Sequence, residues 1–272
     1  VNKRRDLPWR AIEDLSETDR AYRVLVSEIM LQQTQVPRVT ILFPQFLEKF
    51  PHLEMLAKAS NRDMIIAWRG LGYNNRAIRL RDTARVIMEQ HHGKFPTSRE
   101  ELRSLPGIGP YTAAAIRNFA FNLPTPCVDV NIARIYERVF GPDASDIEKL
   151  STEILTIAID EKHGRDAREW HSALMDFGSL VCVKRNPKYD DCPLMAENLY
   201  LDPYKETGVL KSNRKEPSRG TVPNRIFRGR IIESLRESSD GLTTSSIGKK
   251  ICDDWNAEVD DLSLIHISEP TR

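Results

Sequence analysis

The stretch Leu105-Pro106-Gly107-Ile108-Gly109-Pro110-Tyr111-Thr112-Ala113-Ala114-Ala115-Ile116 decides the fold. Two glycines flank one apolar residue between two helix-like segments. Glycine lets the backbone take positive φ and lets another backbone approach closely. Pro110 suits the first turn of a following helix, where its missing N–H costs nothing. Thr112 and three alanines, strong helix formers, carry that helix onward. The pattern predicts a tight helix–hairpin–helix whose amides point outward at a helix N-terminus, a site suited to a phosphate. An ordinary helix connector can carry the same turn.

Composition bounds what surrounds it. The chain has 272 residues, 40% of them hydrophobic and 29% charged, an ordinary balance for one or two domains. No apolar run approaches the length of a membrane span and no signal peptide is visible, so no membrane partner is expected. The net charge of +1 rules out a uniformly basic DNA binder, and any nucleic-acid affinity must come from local patches. Cys127, Cys182, Cys192 and Cys252 are too sparse for a disulfide framework and fit a reducing, cytoplasmic setting.

Upstream, Ala21 to Gln33 has a helical pattern, with Val24, Glu28 and Leu31 on one face. A carboxylate on an apolar stripe is unusual, because burying a charge is costly. Burial raises its pKa, so it can hold a proton near neutral pH and act as an acid. A structural glutamate that caps a helix or pairs with an arginine would show the same pattern. Thr40–Phe50, Asn61–Trp68, Ala77–Gln90 and Arg99–Leu105 also read as amphipathic helices, separated by short Gly, Pro and Asn breaks. Asp129 precedes a helix over Val130–Val139, where it is expected to cap the N-terminus and stay ionised, since donors favour the charged form. No strand alternation persists up to residue 204, so the fold class is all-α.

Three blocks together carry a resemblance: Ser27-Glu28-Ile29-Met30-Leu31-Gln32-Gln33-Thr34-Gln35-Val36, the hairpin, and Val128-Asp129-Val130-Asn131-Ile132-Ala133-Arg134-Ile135. They resemble the helix–hairpin–helix DNA glycosylase superfamily, most closely the A/G-mismatch adenine DNA glycosylases, over roughly Arg5 to Asn198. The resemblance implies two helical subdomains with a cleft between them, and a repair enzyme acting on double-stranded DNA as a nucleoid-associated monomer. It implies that Glu28 is the acid, Asp129 the essential carboxylate, Asn131 its support, and Tyr111 a support for the sugar or for Asp129. It places Gly107, Gly109 and Thr112 on a DNA phosphate, with a monovalent cation at the hairpin. Gln33 and Tyr73, the latter in the loop Gly70-Leu71-Gly72-Tyr73-Asn74, match residues that push into the duplex. From the residues alone, Tyr73 could instead pack in the core, the less favoured alternative. Arg5, Arg10, Leu31, Val36 and Ser172 match positions around the base pocket.

The chain also departs from the family. The usual cysteine box, C-x6-C-x2-C-x5-C, falls on Cys182, Tyr189, Cys192 and Asn198. A four-iron cluster needs about four thiolates, so no iron–sulfur cluster is expected, nor zinc, since no His lies at ligand spacing, and no side chain is assigned as a metal ligand. Bifunctional relatives carry a lysine where Tyr111 stands; tyrosine has no amine for a Schiff base, so strand cleavage is not expected. Ser172 replaces the Gln or Glu of the adenine enzymes and is too short for the same contact, although a water could bridge. Two rivals to an adenine glycosylase follow: a thymine or uracil glycosylase acting at G mismatches, and a non-catalytic DNA-binding module.

The expected domains are the glycosylase domain over 1–204, a basic linker over 205–222 and a winged-helix-like module over 223–261, with Asn224–Arg236 helical and a second helix running to about Cys252. The last residues, 262–272, match the translation of a sequencing adapter and are expected to be foreign, with the natural chain continuing past Asp261. A chain opening on Val1 rather than Met is expected to lack its true start.

Overall fold

The computed structural model describes residues 4–141, 146–159, 166–196, 218–219 and 222–238, with isolated positions 242 and 246. The chain divides into two units, Val1–Gly208 and Val209–Arg272. Within the first unit the described secondary structure is helical.

Side-chain caps explain where several of the helices begin. α1 runs Glu17–Leu31, four residues ahead of the periodic start at Ala21, because the Ser16 side chain accepts from the Asp19 amide and acidic residues fill the first turn. It stops at Leu31, two residues short of the expected end, and Gln33 turns to a φ of +54°. α2 (Val36–Lys49) also begins early, with a proline in its first turn. α3 (Leu53–Lys58) was not expected, since six residues show too little periodicity. A capping box from Ser60 and Asp63 starts α4 (Asn61–Ala67), and α5 spans Asn75–Gln90. α6 (Arg99–Ser104) and α7 (Pro110–Phe121) flank the hairpin, and α7 ends on Asn122 in the left-handed region. α8 (Val130–Phe140), α9 (Ile147–Ala158) and α10 (Ala167–Leu180) follow. The last two were not anticipated as helices, although Asp146 and Asp166 cap them as Asp129 caps α8.

These helices form two principal cores. The larger gathers α1 to α7 around Tyr22, Phe43, Phe46 and Trp68, each no more than 1% exposed. Full burial of such a side chain is favourable by about 1.5–3 kcal/mol. The smaller joins α8, α9 and α10 through Ile132, Ile135, Tyr136 and Cys182. Where α10 crosses α8, Gly178 lets the helices touch: a Cβ there would lie 2.8 Å from the Asn131 Cβ. α11 (Pro193–Ala196) completes the described part of this unit.

In the second unit, β1 (Ser218–Arg219) pairs antiparallel with β2 (Val222–Pro223), and α12 (Asn224–Glu237) follows. The ladder crosses the expected boundary at 222. Most of the expected basic linker, the helix toward Cys252 and the adapter-like tail lie outside the described residues.

Candidate active site and DNA-facing edge

A cavity of about 460 Å³ opens between the two cores, the size of a small-ligand pocket. α1 contributes Glu28 and Leu31 to its wall, and the start of α2 contributes Val36. Tyr111 comes from α7, Asp129 and Asn131 from the start of α8, and Ser172 from α10. Arg5 and Arg10 close it from the N-terminal segment. Every residue assigned to catalysis or to the base pocket therefore lines one space.

Glu28 is partly buried and makes no hydrogen bond to another described residue. Burial, reinforced by the negative charge of Asp129, raises its carboxyl from 4.5 to about 7. This group can carry a proton into the cavity at neutral pH.

Asp129 has the opposite surroundings. Its Oδ1 accepts from the backbone amides of Asn131 (2.9 Å) and Ile132 (2.8 Å), and its Oδ2 from Asn131 Nδ2 (2.7 Å). The cap and the site are thus one structure: the bonds that start α8 also fix the carboxylate. Behind Asn131, Arg134 Nη2 donates to Asn131 Oδ1 (2.8 Å) and to the Gly178 carbonyl (2.7 Å). Arg134 and Gly178 were missed in the sequence; their roles depend on α10 crossing α8.

Tyr111 is held as a neutral phenol, since burial and the nearby Glu28, Cys127 and Asp129 push its pKa well above 10.0. Cys127, beside it and 1% exposed, is likewise held as a thiol by burial and the two carboxylates.

Arg5 and Arg10 meet a partner that sequence reasoning passed over. Asp176, on α10, accepts from Arg5 Nε (2.6 Å), the Arg5 amide (3.1 Å), Arg10 Nη1 (2.7 Å) and Arg10 Nη2 (2.9 Å). Burial would raise this carboxyl, but the bonds from Arg10 and Arg5 outweigh it and hold it below 3.8. Arg10 also reaches the Ser172 carbonyl at 3.4 Å. The arginines thus form a wall anchored on α10 rather than a loose basic tail.

The expected DNA contacts lie outside the cavity lining. Gln33 and Tyr73 both hold left-handed backbones, at φ +54° and +48°. Tyr73 is 67% exposed, which excludes the core-packing alternative. In the hairpin only Gly107 uses positive φ (+77°), packed on Arg79; Gly109 has φ −88° and caps α7, and a Cβ there would meet nothing within 4 Å. The expectation of a special backbone holds for one glycine and not the other, and Gly109 leaves open space in front of the α7 amides. Thr112 is 4% exposed, so the fold buries this expected contact.

In the cysteine box, Cys182 and Cys192 are buried, and Cys182 Sγ lies 3.3 Å from Arg138 Nη1. Tyr189 is 37% exposed on a 3-10 turn, and Asn198 lies outside the described residues. Among the described residues no three His, Cys, Asp or Glu side chains gather as metal ligands, and no helix is long and apolar enough to cross a membrane.

Residues 26–158 match the family model described as HhH-GPD superfamily base excision DNA repair protein. The chain is 34% identical over 250 residues to the adenine DNA glycosylase of Mycobacterium tuberculosis (strain CDC 1551 / Oshkosh), covering 89% of this chain and 78% of that one. It is 33% identical over 232 residues to the adenine DNA glycosylase of Buchnera aphidicola subsp. Baizongia pistaciae, covering 85% of this chain and 63% of the relative. Among solved structures, a thermostable thymine-DNA glycosylase superposes with a TM-score of 0.63 at 29% identity, over 75% of this chain and 89% of that one.

Proposed function

The chain belongs to the HhH-GPD superfamily of base excision DNA repair proteins, in the family of the adenine DNA glycosylases, and from that premise we propose that it hydrolyses the N-glycosidic bond of adenine mispaired with guanine or 8-oxoguanine. One observation carries the reading: a carboxyl able to hold a proton near neutral pH and a firmly hydrogen-bonded carboxylate line the same cavity.

The target base is flipped into the cavity, while Gln33 and Tyr73 fill the duplex it leaves. Glu28 donates its proton to N7 of adenine. The C1′–N9 bond breaks, its electron pair leaving with the protonated base. The sugar gains oxocarbenium character, as in glycoside hydrolysis by paired carboxylates. Asp129 stabilises that positive charge and positions the water that attacks C1′, and the proton this water loses restores the Glu28 carboxyl. Asn131 and Arg134 hold Asp129 in place, and the Tyr111 hydroxyl supports the sugar. No amine occupies position 111, so the enzyme releases the base and leaves the strand intact.

The same proposal covers the remaining features. The hairpin holds a phosphate and a monovalent cation. The protein works as a monomer on mismatched DNA in the nucleoid. No iron–sulfur cluster is bound, because Cys182 and Cys192, the Tyr189 phenol and Asn198 do not supply four thiolates.

An excision panel on A:G, A:8-oxoguanine, T:G and U:G duplexes tests the assignment. Adenine release that depends on Glu28 supports it. Ser172, 9% exposed at the cavity wall where a longer side chain would read the base edge, favours a second reading, in which thymine or uracil is released at G mismatches. Release from the T:G or U:G duplex alone would establish that reading instead. A protein that binds every duplex and leaves no abasic site would be the non-catalytic module.

A further inference from the structure

Gln33 and Tyr73 belong to different elements, the turn after α1 and the loop before α5. One side chain joins those elements. Arg76, in the first turn of α5, donates from Nη1 to the carbonyls of Ile29 (2.8 Å) and Met30 (3.1 Å), and to that of Gln32. From Nη2 it donates to the carbonyls of Leu71 (2.9 Å) and Gly72 (3.1 Å) and to Thr34 Oγ1 (3.1 Å). Its guanidinium carbon lies 5.5 Å from the Trp68 ring centroid and 5.7 Å from that of Tyr73.

The partners fall into two sets. Ile29, Met30 and Gln32 end α1 and lead into Gln33; their carbonyls are among those a helix leaves without internal partners, and a cation suits that end of the dipole. Leu71 and Gly72 lead into Tyr73. Among the described residues no carboxylate pairs with Arg76, so its charge is met by carbonyls, a hydroxyl and two aromatic faces. Only a planar guanidinium fans enough donors in one plane to serve both sets; an ammonium does not. Side chains rarely adopt the left-handed backbone that Gln33 and Tyr73 both hold, so surrounding structure must impose it.

We propose that Arg76 is a positioning residue that fixes the spacing between Gln33 and Tyr73, so that the two enter the duplex as one unit instead of as independent probes. The inference rests on reading those residues as wedges of a DNA glycosylase. Unstacking a paired base then requires both side chains at a set separation, and Arg76 supplies it without touching DNA or the target base.

The test compares two DNA substrates. In one, adenine is paired opposite guanine; in the other it faces an abasic site, where leaving the stack costs less. Arg76→Met is expected to lose tenfold or more of the excision rate on the paired duplex and less than threefold on the second substrate, with Arg76→Lys no better than Arg76→Met. In the Arg76→Met background, adding Gln33→Ala or Tyr73→Ala should cost little more, although each is costly in the unmodified protein. Equal losses on both substrates, or fully additive losses, would overturn the proposal. Fluorescence of 2-aminopurine beside the mismatch reads unstacking without chemistry: it should rise on binding of the unmodified protein and stay low with Arg76→Met. A normal rise with Arg76→Met overturns the positioning role even if no base is released. Release failing with both substrates in the unmodified protein would overturn the glycosylase reading alone.

Discussion

Glu28 and Asp176 are both carboxyl groups withdrawn from water around one cavity, and the fold drives them in opposite directions. Glu28 stands on α1 with Asp129 as its charged neighbour, and its pKa rises to about 7. Asp176 stands on α10, gripped by two arginines of the cavity wall, and its pKa falls below 3.8. Burial alone would raise both. At Glu28 burial sets the direction and the second anion adds to it; at Asp176 two guanidiniums reverse it. One group is suited to deliver a proton, the other to hold a wall together.

Substituting the proton carrier should give the largest effect. Glu28→Gln keeps the shape and removes the acid, and adenine excision is expected to fall by about 10²–10⁴-fold in single-turnover assays. Asp176→Asn attacks the other side. It leaves two guanidiniums facing each other with their shared anion gone, and the expected cost is about 3 kcal/mol in urea denaturation, because removing one partner of a buried ion pair leaves uncompensated charge.

A pH series sharpens the contrast, since the two groups act in different windows. The Glu28 pKa is raised, so the folded state holds a proton that the unfolded chain releases, and stability falls as pH climbs from 4.5 to about 7. Glu28→Gln should therefore match the unmodified protein at pH 4 and exceed it by about 3 kcal/mol at pH 8. The excision rate of the unmodified protein should decline as pH passes about 7 and the acid loses its proton. For Asp176, whose pKa is lowered, the stabilisation is present above the ordinary carboxylate range and is lost as pH falls below it.

The smallest effect should come from a methyl group. Gly178→Ala places a Cβ 2.8 Å from the Asn131 Cβ. Overpacking should cost about 1–2 kcal/mol, read as a lower urea midpoint. Excision should slow several-fold as Asn131 moves under Asp129, while Glu28, on another helix, keeps its pH dependence.

The sequence revealed what local geometry dictates. Glu28 was visible because three side chains share a helix face, Asp129 because capping is a matter of adjacent residues, and the hairpin because Pro110 and the alanines announce a helix start. Asp176 was hidden inside a stretch considered only for Ser172, since its partners, Arg5 and Arg10, lie 171 and 166 positions away. Arg134 and Gly178 gain their meaning from a helix crossing, and Arg76 from carbonyls that carry no side-chain signature. Gly107 and Gly109 look equivalent in the chain, yet only the turn geometry shows that one needs its glycine for backbone shape and the other keeps a surface bare.

The clasp of Asp176 on Arg5 and Arg10 has a consequence in time. Synthesis delivers those arginines early, but the residue that seats them belongs to α10, so the pocket's last wall cannot close until that helix has been made. Contacts this distant in sequence form late in folding as a rule. Until they do, Arg5 and Arg10 lack their shared anion and that side of the cavity has no fixed wall. A newborn chain would therefore have an unfinished pocket until its tenth helix docks.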